Sequence, residues 1–281
     1  MLAAFLALAA SLLWGSSDFV AGMESRRASA WAVVLISQVT ALAVALVVLV
    51  VVRPPAPSAR DLIAPVVAGL GITLSALGAY EAMARAPMSV VAPVFAGAAV
   101  VPVVWGLARG ERPGVIALAG MVLTIAGIVL ISRPGERGQK PEAHASRAGI
   151  LLAVFAAATV GVVLVAYGYG GDSDPYVTVA VARVSALATL AVVLVLLRPN
   201  LRLRAGSVPG AALVGALLVT ANVLYTTATT LGLLSVVAVL GWLSPAVTVF
   251  WAQALLRERL RPLQWVAAAL VLAGVICLAL G

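Results

Sequence analysis

Ten apolar stretches of about 20 residues follow one another along the chain, at roughly 2–22, 30–52, 62–83, 87–107, 114–132, 148–169, 175–197, 207–230, 234–256 and 262–280. Crossing a hydrocarbon layer near 30 Å takes about 20 mostly apolar residues at 1.5 Å each, so each stretch has the length of one spanning helix. Lipid offers backbone N–H and C=O groups no partner, which selects helices over open strands. The polar breaks carry matching punctuation. Arg53-Pro54-Pro55-Ala56-Pro57 ends the second stretch, because proline lacks a donor and fixes φ. Asp172-Ser173-Asp174-Pro175 supplies capping side chains and then a proline to start the seventh. The longest polar segment, Arg133 to Arg147, holds Pro134, Gly135, Gly138 and Pro141 and reads as a linker near the chain midpoint. No Lys or Arg precedes the first apolar stretch, which reads as a span rather than a cleaved leader.

The two sides of that linker repeat one another. Gly110-Glu111-Arg112 precedes Ala126-Gly127-Ile128 by the same interval that separates Arg257-Glu258-Arg259 from Ala273-Gly274-Val275. Ser89-Val90-Val91-Ala92 matches Ser235-Val236-Val237-Ala238, and Tyr80 and Tyr225 stand shortly before those segments. One such match means little in an Ala/Leu/Val-rich chain; four in order at one offset mark an internal repeat. The chain therefore divides into residues 1–133, a linker at 134–147, and residues 148–281. Five spans per half is an odd number, so the second half enters the membrane in the opposite sense. That is the inverted-repeat plan of many secondary transporters, whose site lies near the midplane between the halves.

Composition narrows the class. The chain is 63% hydrophobic and only 10% charged, with a mean hydropathy of +1.15, against about a quarter charged residues in soluble domains. The net charge of +8 sits in clusters between apolar stretches, as loops flanking spans do, and not in the basic stripe of a nucleic-acid reader. One cysteine, Cys277, and one histidine, His144, build neither a disulfide framework nor a Cys/His metal cluster. No G-x-x-x-x-G-K-[ST] motif occurs, which leaves an ion gradient or substrate exchange as the energy source.

The chain resembles the drug/metabolite transporter superfamily, specifically its ten-helix EamA-type members. The similar features are Trp14-Gly15-Ser16-Ser17, Ser89-Val90-Val91-Ala92, Gly110-Glu111-Arg112, Ala126-Gly127-Ile128, Arg183, Glu258-Arg259 and Ala273-Gly274. Two departures stand out: Gln38 where such proteins often carry a second intramembrane arginine, and Arg257 where the second half usually has glycine. The resemblance implies an all-α membrane protein of two inverted five-helix repeats, a function in exporting amino acids and other small metabolites, and no cofactor.

Polar groups deep in a span are costly and tend to face a bundle interior or a water-filled cavity. Arg183, about eight residues into the seventh span, either lines a cavity and meets an anionic substrate group or clamps carbonyls and acids as a structural element. Asp18 either couples transport to protons or holds a helix end; Glu81 is expected to hold its helix end with a neighbouring arginine. Gln38, Ser75 and Asn222 lie at middle depths, with Tyr80 and Tyr225 at equivalent helix ends. Trp14 and Trp242 line a pocket or pack as apolar bulk, and Trp31, Trp251 and Trp265 read as interfacial anchors. Glu111 and Glu258 are expected to satisfy backbone or arginine donors at turns. Pro93, Pro102 and Pro245 would bend the fourth and ninth spans. The expected cavity set is thus Trp14, Asp18, Gln38, Ser75, Tyr80, Arg183, Asn222, Tyr225 and Trp242, for a small-molecule substrate within a lipid bilayer, with protons as the candidate coupling ion.

Charge also bears on orientation. Loops after the odd-numbered spans hold 13 Lys and Arg residues and the other loops hold four, so the positive-inside rule places the first set in the cytoplasm and both termini outside. The resemblance implies both termini inside, and the two expectations conflict. A lipid-intermediate flippase, which needs a groove open to lipid, and a membrane enzyme, which needs a convergent His, Ser or metal cluster, are the rivals to transport.

Overall fold

The computed structural model describes residues 1–86, 88–131, 146–202, 204–256 and 262–280. Every regular element among them is helical: α1 (Leu2–Glu24), α2 (Ala30–Val52), α3 (Ile63–Arg85), α4 (Met88–Ala96), α5 (Val100–Ala108), α6 (Val115–Ile131), α7 (Arg147–Gly171), α8 (Pro175–Leu197), α9 (Val208–Leu231), α10 (Leu234–Gly241), α11 (Ser244–Leu256) and α12 (Pro262–Leu280). Eight helical stretches are long and apolar enough to cross a membrane, and Val115–Leu130 and Trp265–Leu280 are shorter apolar helices. Large apolar side chains such as Val51, Val115, Val122 and Leu196 stand exposed on the outer faces, which suits a chain whose solvent is hydrocarbon. The protein is a multi-pass integral membrane protein.

Two stretches read as single spans that prolines would bend are interrupted. The fourth passes through a 3₁₀ turn at Gly97–Ala99 between α4 and α5, and the ninth opens at Trp242 and Leu243 between α10 and α11. The prolines explain where. A proline ring removes the hydrogen bond to the carbonyl four residues earlier, which for Pro102 is Ala98 and for Pro245 is Gly241. Each break falls in the turn before its proline rather than at it.

Local structure repeats with the sequence. Ser29 caps α2 by accepting a hydrogen bond from Ala32 N–H, and Asp174, 145 residues on, caps α8 by accepting from Tyr176 and Val177. Both helices end on an arginine with positive φ, Arg53 at 51° and Arg198 at 46°. Packing interleaves the halves. The first span of each half lies against the third span of the other. Ala3, Trp14 and Glu24 of α1 meet the Gly232, Asn222 and Gly210 positions along α9, so the two run antiparallel. Residues 71, 78 and 86 meet 163, 155 and 149 in the same way, placing α3 antiparallel to α7. The shorter apolar helices α6 and α12 also pack antiparallel, and Gly120 and Gly274 let their backbones approach so closely that a Cβ on either would collide.

Loops gather at two ends. At one, Ser29 N–H donates to Arg202 O and Ser146 N–H to Arg85 O. This end carries Arg26, Arg27, Arg85, Arg147, Arg198, Arg202 and Arg204 and is called the basic end below. At the other, Ser173 Oγ donates to Asp61 Oδ1. Hydrogen bonds from the Ser58 side chain and backbone and from Ser173 hold Asp61 below the usual carboxylate range.

Candidate functional site

A cavity of about 240 Å³ lies at middle depth where the halves meet, walled by α1, α2, α3, α4, α7, α8, α9 and the α10–α11 break. Its lining shows how the repeat builds it. Trp14 and Val160, Asp18 and Leu164, Gln38 and Arg183, and Ile72 and Leu218 all border it, and each pair lies one repeat interval apart, 145 or 146 residues. The cavity sits on the axis relating the halves.

Two equivalent contacts cross that axis. Arg183 Nη1 donates to Gln38 Oε1 at 2.8 Å, and Trp242 Nε1, at the break of the ninth span, donates to Ala96 O beside the break of the fourth at 3.1 Å. Phe95 packs on Trp242 with ring centroids 5.9 Å apart, so both breaks present aromatic surface to the cavity.

A polar chain runs round the wall. Trp14 Nε1 donates to Asn222 Oδ1 at 2.8 Å, and Asn222 Nδ2 donates to the Tyr167 hydroxyl oxygen at 2.9 Å. The Arg183 guanidinium stands beside that same oxygen. Each amide and hydroxyl here is fixed by its neighbour, which orients the remaining donors before any ligand arrives.

Arg183 is the electrostatic centre. It is 2% exposed, and among the described residues it has no carboxylate partner and its Nε has no hydrogen-bond partner. A buried charge without counter-charge is expensive, and neutral Gln38 and Tyr167 satisfy only part of it. The planar fork of the guanidinium matches a carboxylate through two parallel hydrogen bonds. Asp18 lines the same cavity with an exposed side chain and makes no hydrogen bond or ion pair among the described residues. The cavity thus carries one cation and one carboxylate that do not neutralise each other.

The structure brings Trp14, Asp18, Gln38, Ser75, Arg183, Asn222 and Trp242 together on the lining. Tyr225 lies one layer behind, its ring tilted against Trp14 with centroids 5.3 Å apart and its hydroxyl donating to Leu164 O at 3.2 Å. The Tyr80 side chain lies outside the described residues. Sequence reasoning missed Tyr167, Phe95 and Ser244. Tyr167 has alanine at its repeat mate, so the repeat gave no hint; its spacing of seven, four and three residues from Val160, Val163 and Leu164 along one helical face was the available signal. Three further expectations resolve. Glu81 pairs with Arg85 one turn on, at the basic end and away from the cavity. Trp251, expected as an interfacial anchor, is half-buried and donates to Ser16 Oγ at 2.8 Å, joining α11 to α1. Glu111 does satisfy backbone donors, accepting from Leu234 N–H at 2.7 Å and Ser235 N–H at 3.0 Å. Glu258 lies outside the described residues.

Comparison with known proteins agrees with this architecture. A solved crystal structure matches with a TM-score of 0.81 over 99% of this chain and 96% of the other, at 18% identity; the likeness establishes the fold. No curated protein matches the sequence. The model of the EamA-like transporter family matches twice, over residues 1–133 and 147–280. With both repeats covered, the chain belongs to the EamA-like transporter family, whose members are membrane transporters.

Proposed function

We propose that this protein is a secondary transporter of ten spans in two inverted repeats, exporting a small carboxylate-bearing metabolite such as an amino acid across the plasma membrane by alternating access. The observation that carries the reading is Arg183, a buried guanidinium on a midspan cavity with an unsatisfied Nε and no acidic partner among the described residues. A substrate carboxylate supplies the hydrogen bond missing at Nε and the missing charge. Asp18 and the aromatic faces of Trp14 and Trp242 suit an ammonium group on the same substrate. A volume of about 240 Å³ matches about eight waters, which suits a small metabolite rather than a polycyclic drug. The antiparallel packing of α6 on α12 and the equivalent breaks favour inversion of the halves. The basic end faces the cytoplasm by the positive-inside rule.

The flippase reading finds less support. Gln38 and Ile72 also border a recess between α2, α3 and α8, but at about 40 Å³ it holds little more than one water and no acyl chain. The test is uptake and efflux by purified protein in liposomes, screened over amino acids, organic cations and lipid analogues with an imposed pH gradient. Saturable exchange of carboxylate substrates is expected. Movement of organic cations or lipid analogues with none of any carboxylate would overturn the proposal.

A further inference from the structure

A second cavity of about 170 Å³ opens at the end of the bundle opposite the basic end, lined by Trp105, Arg109, Glu111, Tyr169, Gly232 and Leu234 among others. It lies close to the central one. On α7, Tyr167 borders the central cavity while its neighbours Gly168 and Tyr169 border this vestibule. What separates the two is α10. Leu234 at its start borders the vestibule and sits over Gly168, where a Cβ would meet it at 2.9 Å; Trp242, just past its end, borders the central cavity. The helix between them is buried at Ser235 and from Val237 to Gly241, and its eight residues span about 12 Å.

The start of α10 is held by the first half of the chain. The two oxygens of the Glu111 carboxylate accept hydrogen bonds from Leu234 N–H and Ser235 N–H, two of the free donors at a helix N-terminus, where the helix dipole also favours an anion. The carboxylate rests on Gly106, where any Cβ would overlap it. Beside it Trp105 Nε1 donates to the Tyr169 hydroxyl at 2.9 Å, and Arg109 lies over the Tyr169 ring at 5.8 Å.

We propose that Glu111 is a positioning residue for transport: it latches α10 across the path between vestibule and central cavity and so keeps that end shut. The proposal rests on the transporter reading and goes beyond it. A carboxylate holding a helix N-terminus can let go without breaking a covalent bond, and the interruption at Trp242 and Leu243 lets the buried α10 shift as a short piece relative to α11. Its far end carries Trp242, so release at the mouth is felt at the site.

The test reads access from each face separately and needs no substrate, so it stands whether or not the substrate assignment holds. In a Cys277→Ala background, Leu218→Cys places one thiol on the central cavity wall, and a membrane-impermeant maleimide is added to either face of oriented vesicles. Glu111→Gln loses a charge-assisted hydrogen bond and should raise labelling from the vestibule face about ten-fold while lowering it from the basic face. Gly106→Ala displaces the same carboxylate without changing its charge and should do the same; if Glu111→Gln fails to accumulate, Gly106→Ala decides. Unchanged labelling, or an equal rise from both faces, would overturn the latch.

Discussion

Gln38 and Arg183 occupy the same position in the two halves, on helices capped alike at both ends, yet one is neutral and the other always charged. They meet across the axis at 2.8 Å. Asp18 and Leu164, and Trp14 and Val160, differ in the same way around the same cavity. The backbone keeps the symmetry; the chemistry abandons it. An axis explains why. A second arginine here would set two like charges in a low-dielectric interior and would need a counter-charge of its own, whereas one arginine against a glutamine carbonyl leaves a single cation with spare donors. The repeat thus supplies the hinge-like frame, and departures from it supply the site.

Restoring the symmetry should do the most damage. Gln38→Arg sets a second guanidinium beside Arg183, adding an insertion cost of about 2.5–3.5 kcal/mol before repulsion is counted; the protein is predicted to lose most of its accumulation in membranes, read by immunoblot. The double exchange Gln38→Arg with Arg183→Gln keeps one charge on the axis and should recover it. Failure of the exchange to recover accumulation would show that the two positions are not equivalent. Next in size, Asp18→Asn should weaken counterflow of ammonium-bearing substrates and abolish the accumulation driven by a pH gradient, both measured in liposomes; gradient-driven transport equal to wild type would remove Asp18 from the coupling step. The smallest effect belongs to Tyr167→Phe, which strands the Asn222 amide donor and one side of Arg183. It should weaken substrate binding by about five-fold to ten-fold, in line with about 1–1.5 kcal/mol for one hydrogen bond, and an unchanged affinity would remove Tyr167 from the site.

The sequence made some of this plain and hid the rest for physical reasons. Span lengths are legible because hydrocarbon thickness sets them, and Arg183 and Gln38 stood out because polar groups are rare at that depth. The prolines announced bends in the fourth and ninth spans, but their positions followed from carbonyls four residues back, which a run of apolar letters does not display. The contact between Trp242 and Ala96 arises only when both breaks are brought to one axis. Tyr167 looked like one more aromatic in a Tyr-Gly-Tyr-Gly segment until α9 placed Asn222 against it. Glu111 was readable as a turn residue that satisfies donors, but not as a link between halves, because its partners at Leu234 and Ser235 lie 123 and 124 residues away.

The central claim is that Arg183 receives a substrate carboxylate, and the most direct test is calorimetric binding of an amino acid and its matching amide to purified wild type, Arg183→Lys and Arg183→Gln. Wild type should bind the acid at least about 100-fold more tightly than the amide, since two charge-assisted hydrogen bonds and a charge pair are lost together. Arg183→Lys should narrow that gap to about ten-fold, and Arg183→Gln should bind acid and amide alike, with the folded protein still present in the membrane. Equal discrimination between acid and amide in wild type and Arg183→Gln would contradict the account.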